Sequence, residues 1–408
     1  MTLRCDQVAP VLQIPCEITS EIFRYCLPED EFPQPSIRSA PIQLSLVCSA
    51  WRELSIGTPC LWTKVLLCAS TDFEDLSGTL TDHMESHVET LRLWTKRATP
   101  LLLSVHLRYP TLPRLDVPVI RIDQLPPIFH VIVENGARWK DIRLSLPRNY
   151  LDFGWSLTQQ NASKLNSFAI DDTLIPIFGS SLAVSTGPIN LQTGIAETLS
   201  TLSVCVPIIY APPYRAPCMR LRKLSLKHAG PVECLNLLRH CPVLEDLILH
   251  FYRLNEMVGS SSGPTMLLPQ LRTFHLSHTT YGEYWETSFP VGSEIGLLLE
   301  CLSLPNLKGF FLWMTIVGRD IYNNPEIPWE YLSQLITRSN CSLTELELRT
   351  TRMTPSSMMK CLQLSPDLKY LGIPSDAELE TEEVRQLLPS LQSLRLFSTD
   401  EVGESGQL

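Results

Sequence analysis

A run of apolar residues spaced as Leu-x-x-Leu-x-Leu recurs along the chain, and a recurring unit constrains a fold more tightly than any local propensity. A first strand-like stretch, Leu103-x-Val105-x-Leu107, precedes Trp139-x-x-Ile142-x-Leu144, Leu165-x-x-Phe168-x-Ile170, Leu199-x-x-Leu202-x-Val204 and Leu221-x-x-Leu224-x-Leu226. Leu244-x-x-Leu247-x-Leu249, Leu271-x-x-Phe274-x-Leu276 and Leu307-x-x-Phe310-x-Leu312 continue it. Leu343-x-x-Leu346-x-Leu348, Leu368-x-x-Leu371-x-Ile373 and Leu391-x-x-Leu394-x-Leu396 end it. From Trp139 onward, successive copies begin 22 to 36 residues apart. Alternating apolar residues over so short a span fit a strand with one buried face. Residues 232–240, 356–364 and 382–388 carry helical spacing, and each precedes a proline shortly before the next strand, as a chain leaving a helix would. The long intervals 165–199, 271–307 and 307–343 imply inserted loops, and Gly259-Ser260-Ser261-Ser262-Gly263 marks another.

The 408 residues suit two or three domains, or one small domain and an elongated array. With 44% hydrophobic and 19% charged residues, the chain is composed to form a core. Its net charge of −10 and the lack of a Lys/Arg run argue against a nucleic-acid or anionic-membrane surface. No apolar run reaches membrane-spanning length, and Met1 to Gln7 lack the apolar core of a signal peptide. The 13 cysteines are scattered without a Cys-x-x-Cys pair, and Cys48, Cys234 and Cys361 fall on apolar stripes. They read as buried free thiols of a reducing compartment, cytoplasm or nucleus, with no zinc site of that kind. The glycosylation triplets at Asn161 and Asn340 then carry no meaning.

No phosphate-cradling glycine loop, Gly-x-Ser-x-Gly elbow or kinase set occurs. His83 and His87 stand four apart on a helix, but without the His-Glu-x-x-His order or a third ligand they read as solvated residues. Cys234 with His228 or His240 could make a nucleophile and base, yet Cys234 lies on the apolar stripe of a return helix. The expectation is a non-enzyme with no cofactor and no metal.

The N-terminal part follows a different period. After a flexible lead over residues 1–11, Pro15 opens a helix in which Ile14, Ile18, Ile22, Phe23 and Cys26 form one stripe. Residues 29–41, with four charged side chains and Pro33, Pro35 and Pro41, read as a loop. Leu44, Val47, Trp51 and Leu54 give a second stripe, stopped by Gly57 and Pro59, before an extended or helical cap at Leu61 to Val65. Leu80, Met84, Val88, Leu91 and Trp94 predict a bridging helix. Two stripes with Trp51 and Trp62 hold more apolar surface than so short a segment can hide. Those tryptophans read either as partner anchors or as core residues on the following domain.

Five elements in order carry a resemblance here: the Leu12 to Pro15 opening, Glu17-Ile18, Ile22-Phe23, Val47 to Arg52, and Leu61-Trp62. Together they resemble an F-box, departing from it in an Ile-Pro where Leu-Pro is usual and in a longer loop between the helices. The resemblance implies binding of the Skp adaptor of cullin-RING ubiquitin ligases. Its implied contacts are Leu12, Ile14, Pro15, Ile18, Ile22, Phe23, Leu44, Val47, Cys48, Trp51 and Trp62. The repeats resemble degenerate leucine-rich repeats, with the asparagine after the last leucine mostly missing. The combination is similar to the large F-box families of basidiomycete (mushroom-forming) fungi.

The expected class is therefore α+β, a small all-α F-box module followed by an irregular α/β leucine-rich-repeat solenoid. Its parts are a lead (1–11), the F-box (12–66), a helical linker (67–98), the solenoid (99–398) and a disordered acidic tail (399–408). The resemblance implies a substrate-recognition subunit of an SCF-type ligase, joined through the adaptor to cullin and RING subunits and holding an unknown protein substrate. The alternative is a repeat scaffold or inhibitor-like binder whose F-box-like segment is an N-terminal cap.

Residues alternating with the buried leucines form the outer strand face. It would show Lys223, Ser225, Lys227, Asp246, Ile248 and His250, then Thr273, His275 and Ser277. Gly309, Phe311, Trp313, Glu345, Glu347, Arg349, Ser393, Arg395 and Phe397 follow. Lys227, His250, His275, Phe311, Trp313, Arg349 and Phe397 are the candidate substrate contacts. A loop over residues 281–290 covering Phe311 and Trp313 is the competing reading.

Overall fold

A computed structural model of the protein describes residues 10–28, 32–68, 80–109, 111–112, 117–118, 126–146, 163–172, 189–190, 197–205, 208–209, 220–227, 230–251, 265–281, 293–317, 330–349, 353–375 and 381–397. The acidic tail, the Gly-Ser insert at 259–263, residues 282–290 and the lead before Pro10 lie outside them. The chain divides into two compact units, Met1–Thr186 and Gly187–Leu408. That division falls within the stretch 99–398, which the repeat spacing alone joins into one array.

The first unit opens with a 3-10 turn (Pro10–Gln13) and helix α1 (Cys16–Tyr25). Helices α2 (Ile42–Ser45) and α3 (Ser49–Ile56) follow, so the stripe Leu44, Val47, Trp51 and Leu54 does not lie on one helix. Cys48 between them is fully extended at φ −159° and ψ 173°. The break turns Val47 out to solvent, and Arg52 Nε donates to Ser45 O at 3.0 Å, satisfying a carbonyl at the end of α2.

A second 3-10 turn (Pro59–Trp62) runs directly into strand β1 (Lys64–Cys68). β1 pairs in parallel with β2 (Leu103–Arg108), and parallel neighbours need a crossover. Helix α4 (Leu80–Arg97) supplies it. Trp94 Nε1 donates to Lys64 O at 3.1 Å, and its ring meets Trp62 edge-on at 4.7 Å. Residues 67–98, expected as a linker, thus contain the crossover of a strand–helix–strand unit, and a boundary at 66 cuts through β1. β3 (Trp139–Leu146) and β4 (Ser167–Asp172) extend the parallel run. Helix α5 (Pro126–Glu134) buries Ile128, Phe129, Val131 and Ile132 before β3. Arg138 joins this unit's layers, donating from Nη1 to Thr95 O at 3.0 Å and from Nη2 to Leu101 O at 3.0 Å.

Among the described residues of the second unit, the main sheet has eight parallel strands in chain order: β5 (Thr201–Val204), β6 (Lys223–Lys227), β7 (Asp246–Phe251), β8 (Thr273–Tyr281), β9 (Gly309–Val317), β10 (Glu345–Arg349), β11 (Tyr370–Pro374) and β12 (Ser393–Phe397). Each pairs with the next. Helices α6 (Pro231–Leu238), α7 (Ser293–Glu300), α8 (Tyr331–Ser339), α9 (Pro355–Gln363) and α10 (Thr381–Leu387) pack in succession beside one another. Register lines up Leu224, Leu247, Phe274, Phe310, Leu346, Leu371 and Leu394. All but Leu394 are buried. A buried Leu or Phe stabilises a fold by about 1.5–3 kcal/mol, so this row is a principal part of the unit's core. The long intervals 271–307 and 307–343 contain β8 with helix α7 and β9 with helix α8, and the inserted loops expected there fall at 282–292 and 318–329, outside the described residues.

Candidate functional site

Each unit presents one surface worth reading as a site. In the first, α1 divides its apolar stripe between two sides. Phe23 packs inward, edge-on to Trp51 at 4.9 Å. Ile14, Ile18, Ile22 and Val47 point outward, from 37% exposed at Ile14 to 59% at Val47. Leu12 and Pro15 are also exposed, while Trp51 and Cys48 are half-buried.

Three residues expected to meet a partner are instead interior: Phe23, Leu44 and Trp62. Trp62 is held on every side. Its Nε1 donates to Ser55 O at 2.8 Å, Trp94 meets its ring, and the Arg97 guanidinium stands 4.2 Å from the ring centroid. The reason is the downstream strand. Because β1 continues directly from the turn carrying Trp62, the ring is drawn under α4.

The second surface is the outer strand face of the second unit, where register sets two rows. One runs Lys227, His250, Ser277, Trp313, Arg349, and the other Ile248, His275, Phe311, Glu347, Gly372, Arg395. Glu347 is their centre and is only 4% exposed. Its Oε1 accepts from Trp313 Nε1 at 2.9 Å and from Arg349 Nε at 2.6 Å, and its Oε2 accepts from Tyr370 OH at 2.6 Å. A carboxylate out of water requires such pairing. The Arg349 guanidinium also lies 4.6 Å from the Trp313 ring and 4.1 Å from the Phe397 ring. Gly372 permits this packing, since a Cβ there would come within 2.8 Å of Glu347 Cγ and Phe397 Cε2.

Phe397, expected to be outward and available, is covered by Arg349 and Arg395 and is almost wholly buried. Glu347, expected on the exposed face, is buried for the reason just given. His275 stacks on Phe311 at 4.2 Å with ring planes 7° apart. Phe311, Trp313, His275, His250 and Lys227 remain half-exposed. Tyr370 and Gly372 alternate with Leu371 and Ile373, so the same spacing places them on the outer face.

The electrostatics bear on chemistry. Burial, with Lys227 adding to it, lowers the His250 pKa to about 4, and Nδ1 shares a hydrogen bond with Ser277 Oγ. An imidazole of that value is a poor proton acceptor for Ser277 at neutral pH. Burial raises the Tyr370 phenol to about 12, with the Glu347 carboxylate contributing. Burial also raises the Cys234 thiol above its ordinary value. His87, expected to be solvated, is half-buried and lies 3.0 Å from Tyr109 OH through Nδ1. The His83 side chain and His228 lie outside the described residues. Among the described residues, no group of three or more His, Cys, Asp and Glu side chains is placed to hold a metal.

No family model matches the chain, and no curated protein matches it. It is similar to a solved structure described as the crystal structure of the Rad7 and Elc1 complex in yeast. That match has a TM-score of 0.43 and 15% identity, and covers 79% of this chain and 70% of that chain.

Proposed function

We propose that this chain is the substrate-recognition subunit of an SCF-type cullin-RING ubiquitin ligase. Its N-terminal helices bind the Skp adaptor and, through it, the cullin and RING subunits. The outer strand face of the second unit binds a protein substrate. The observation that carries this reading is the apolar face of α1 and the α2–α3 turn. Ile14, Ile18, Ile22 and Val47 stand in solvent, while Phe23, Leu44, Leu61 and Trp62 already fill the interior. Ile18 and Ile22 stand one turn apart on α1, exposed apolar groups of this kind mark docking surfaces, and all four belong to the residues that resemble an F-box. The chain then works by holding a substrate near partner-supplied chemistry, with no reacting side chain or cofactor of its own. It would act in the cytoplasm or nucleus; among the described residues no helix is long and apolar enough to cross a membrane. Co-purification of the full chain with the Skp adaptor is expected, and Ile18→Asp with Ile22→Asp should abolish it. Retention of the adaptor by that variant would sink the reading.

A second reading, a repeat scaffold whose N-terminal segment is only a cap, is favoured by the continuity of Trp62 with β1 and its packing on Trp94. It predicts a stable chain that takes up no adaptor.

A further inference from the structure

Residues 32–41, a proline-rich loop in sequence, carry specific long-range contacts to the strands of the first unit. The Pro33 carbonyl accepts from Leu66 N–H at 3.0 Å. The Phe32 ring stands edge-on to His106 at 5.9 Å, and the Arg143 guanidinium lies 4.9 Å from its centroid. Leu66 pairs with His106 in register, and His106 pairs with Arg143, so one row across β1, β2 and β3 receives the segment. Pro33 is buried and brings no N–H that would need a partner there. Behind these two residues the segment bonds to itself, Ser39 Oγ to Gln34 O at 2.8 Å and Arg38 N to Ser36 Oγ at 3.1 Å, and Ala40 and Pro41 are buried where it joins α2. Ile37 points outward at 70% exposure.

We propose that the row Leu66, His106 and Arg143 is a binding site for an extended protein segment in which an aromatic residue precedes proline, and that residues 32–41 occupy it in the free chain. The built-in occupant displays the chemistry the site accepts. A ring lies against a guanidinium, and the next residue's carbonyl takes a strand N–H, as in recognition at a sheet edge. A tethered occupant competes at an effective concentration on the order of millimolar, so a partner segment enters when the strap lifts. This assignment stands apart from whether the exposed face of α1 binds an adaptor.

The test uses the full chain, Phe32→Ala, Arg143→Ala and the double variant. It reads hydrogen exchange at the Leu66 amide and binding of a synthetic peptide copying residues 32–41. Arg143 is exposed, so Arg143→Ala probes the site without disturbing the core. The Leu66 amide is expected to exchange at least about tenfold faster in both single variants. The peptide is expected to bind Phe32→Ala at least about tenfold more tightly than the unaltered chain or the double variant. Unchanged Leu66 exchange in both single variants overturns the proposal. So does faster exchange with no peptide binding by Phe32→Ala, or equal binding by all four proteins.

Discussion

Two stretches of the chain put the same kinds of side chain into opposite surroundings. In the second unit Leu224, Leu247, Phe274, Phe310 and Leu346 each face a register partner on the next strand and are at most 1% exposed. In the N-terminal helices Ile18, Ile22 and Val47 are about half exposed. The repeat consumes its apolar residues by stacking on itself, whereas the helical segment has filled its interior with Phe23, Leu44, Leu61 and Trp62 and has apolar residues left over. Apolar pattern alone does not separate core from docking surface; the presence of a neighbouring layer does.

Substitutions can break or sharpen this contrast. The largest effect is expected at Glu347, where Glu347→Ala strips the acceptor from Trp313, Arg349 and Tyr370 together. Loss of one member of a buried pair costs about 3–5 kcal/mol, measurable by denaturant unfolding. Leu249→Ala in the repeat core should cost about 2–5 kcal/mol in the same measurement.

Acid should act through half-buried histidines in both units, and most through His106 and His250. His106, lowered to about 4 by burial with Arg143 and Arg108, and His250, likewise about 4, bind protons less readily folded than unfolded. Their contribution is complete above about pH 6.5 and is lost as pH falls toward about 4. Because both rings keep some exposure, about 1–2 kcal/mol each is expected, checked by unfolding at a series of pH values with His250→Gln as control. The smallest effect on stability belongs to Ile18→Ala, within about 0.5 kcal/mol. An equal loss at Ile18 and Leu249 would erase the contrast.

Much of the strand order was legible because Leu-x-x-Leu-x-Leu needs only local alternation, and every copy from Leu103 onward is a strand. β1 was not, since Val65-Leu66-Leu67 is a continuous apolar run without that spacing and stands next to the helical segment. Alternation also put Glu347, Arg349 and Trp313 on the outer face. Burial of that carboxylate depends on Tyr370 and Phe397, one and two strands away, which no local pattern reports. Phe397, read as an outward aromatic, and Trp62, read either as a partner anchor or as core, are both interior. Trp94 and Arg97 cover Trp62, and Arg349 and Arg395 cover Phe397, contacts that lie outside any local pattern. The strap at 32–41 was invisible because its contacts lie at Leu66, His106 and Arg143, far along the chain, and proline-rich sequence has no period to betray them.

Calorimetric titration of the full chain with the purified Skp adaptor, beside Ile18→Asp/Ile22→Asp, tests the central claim most directly. The unaltered chain is predicted to bind with a negative heat-capacity change, as burial of an apolar face requires. The variant should keep the unaltered melting temperature and lose at least about a hundredfold in affinity. No binding by the unaltered chain, or equal binding by the two, would contradict the account.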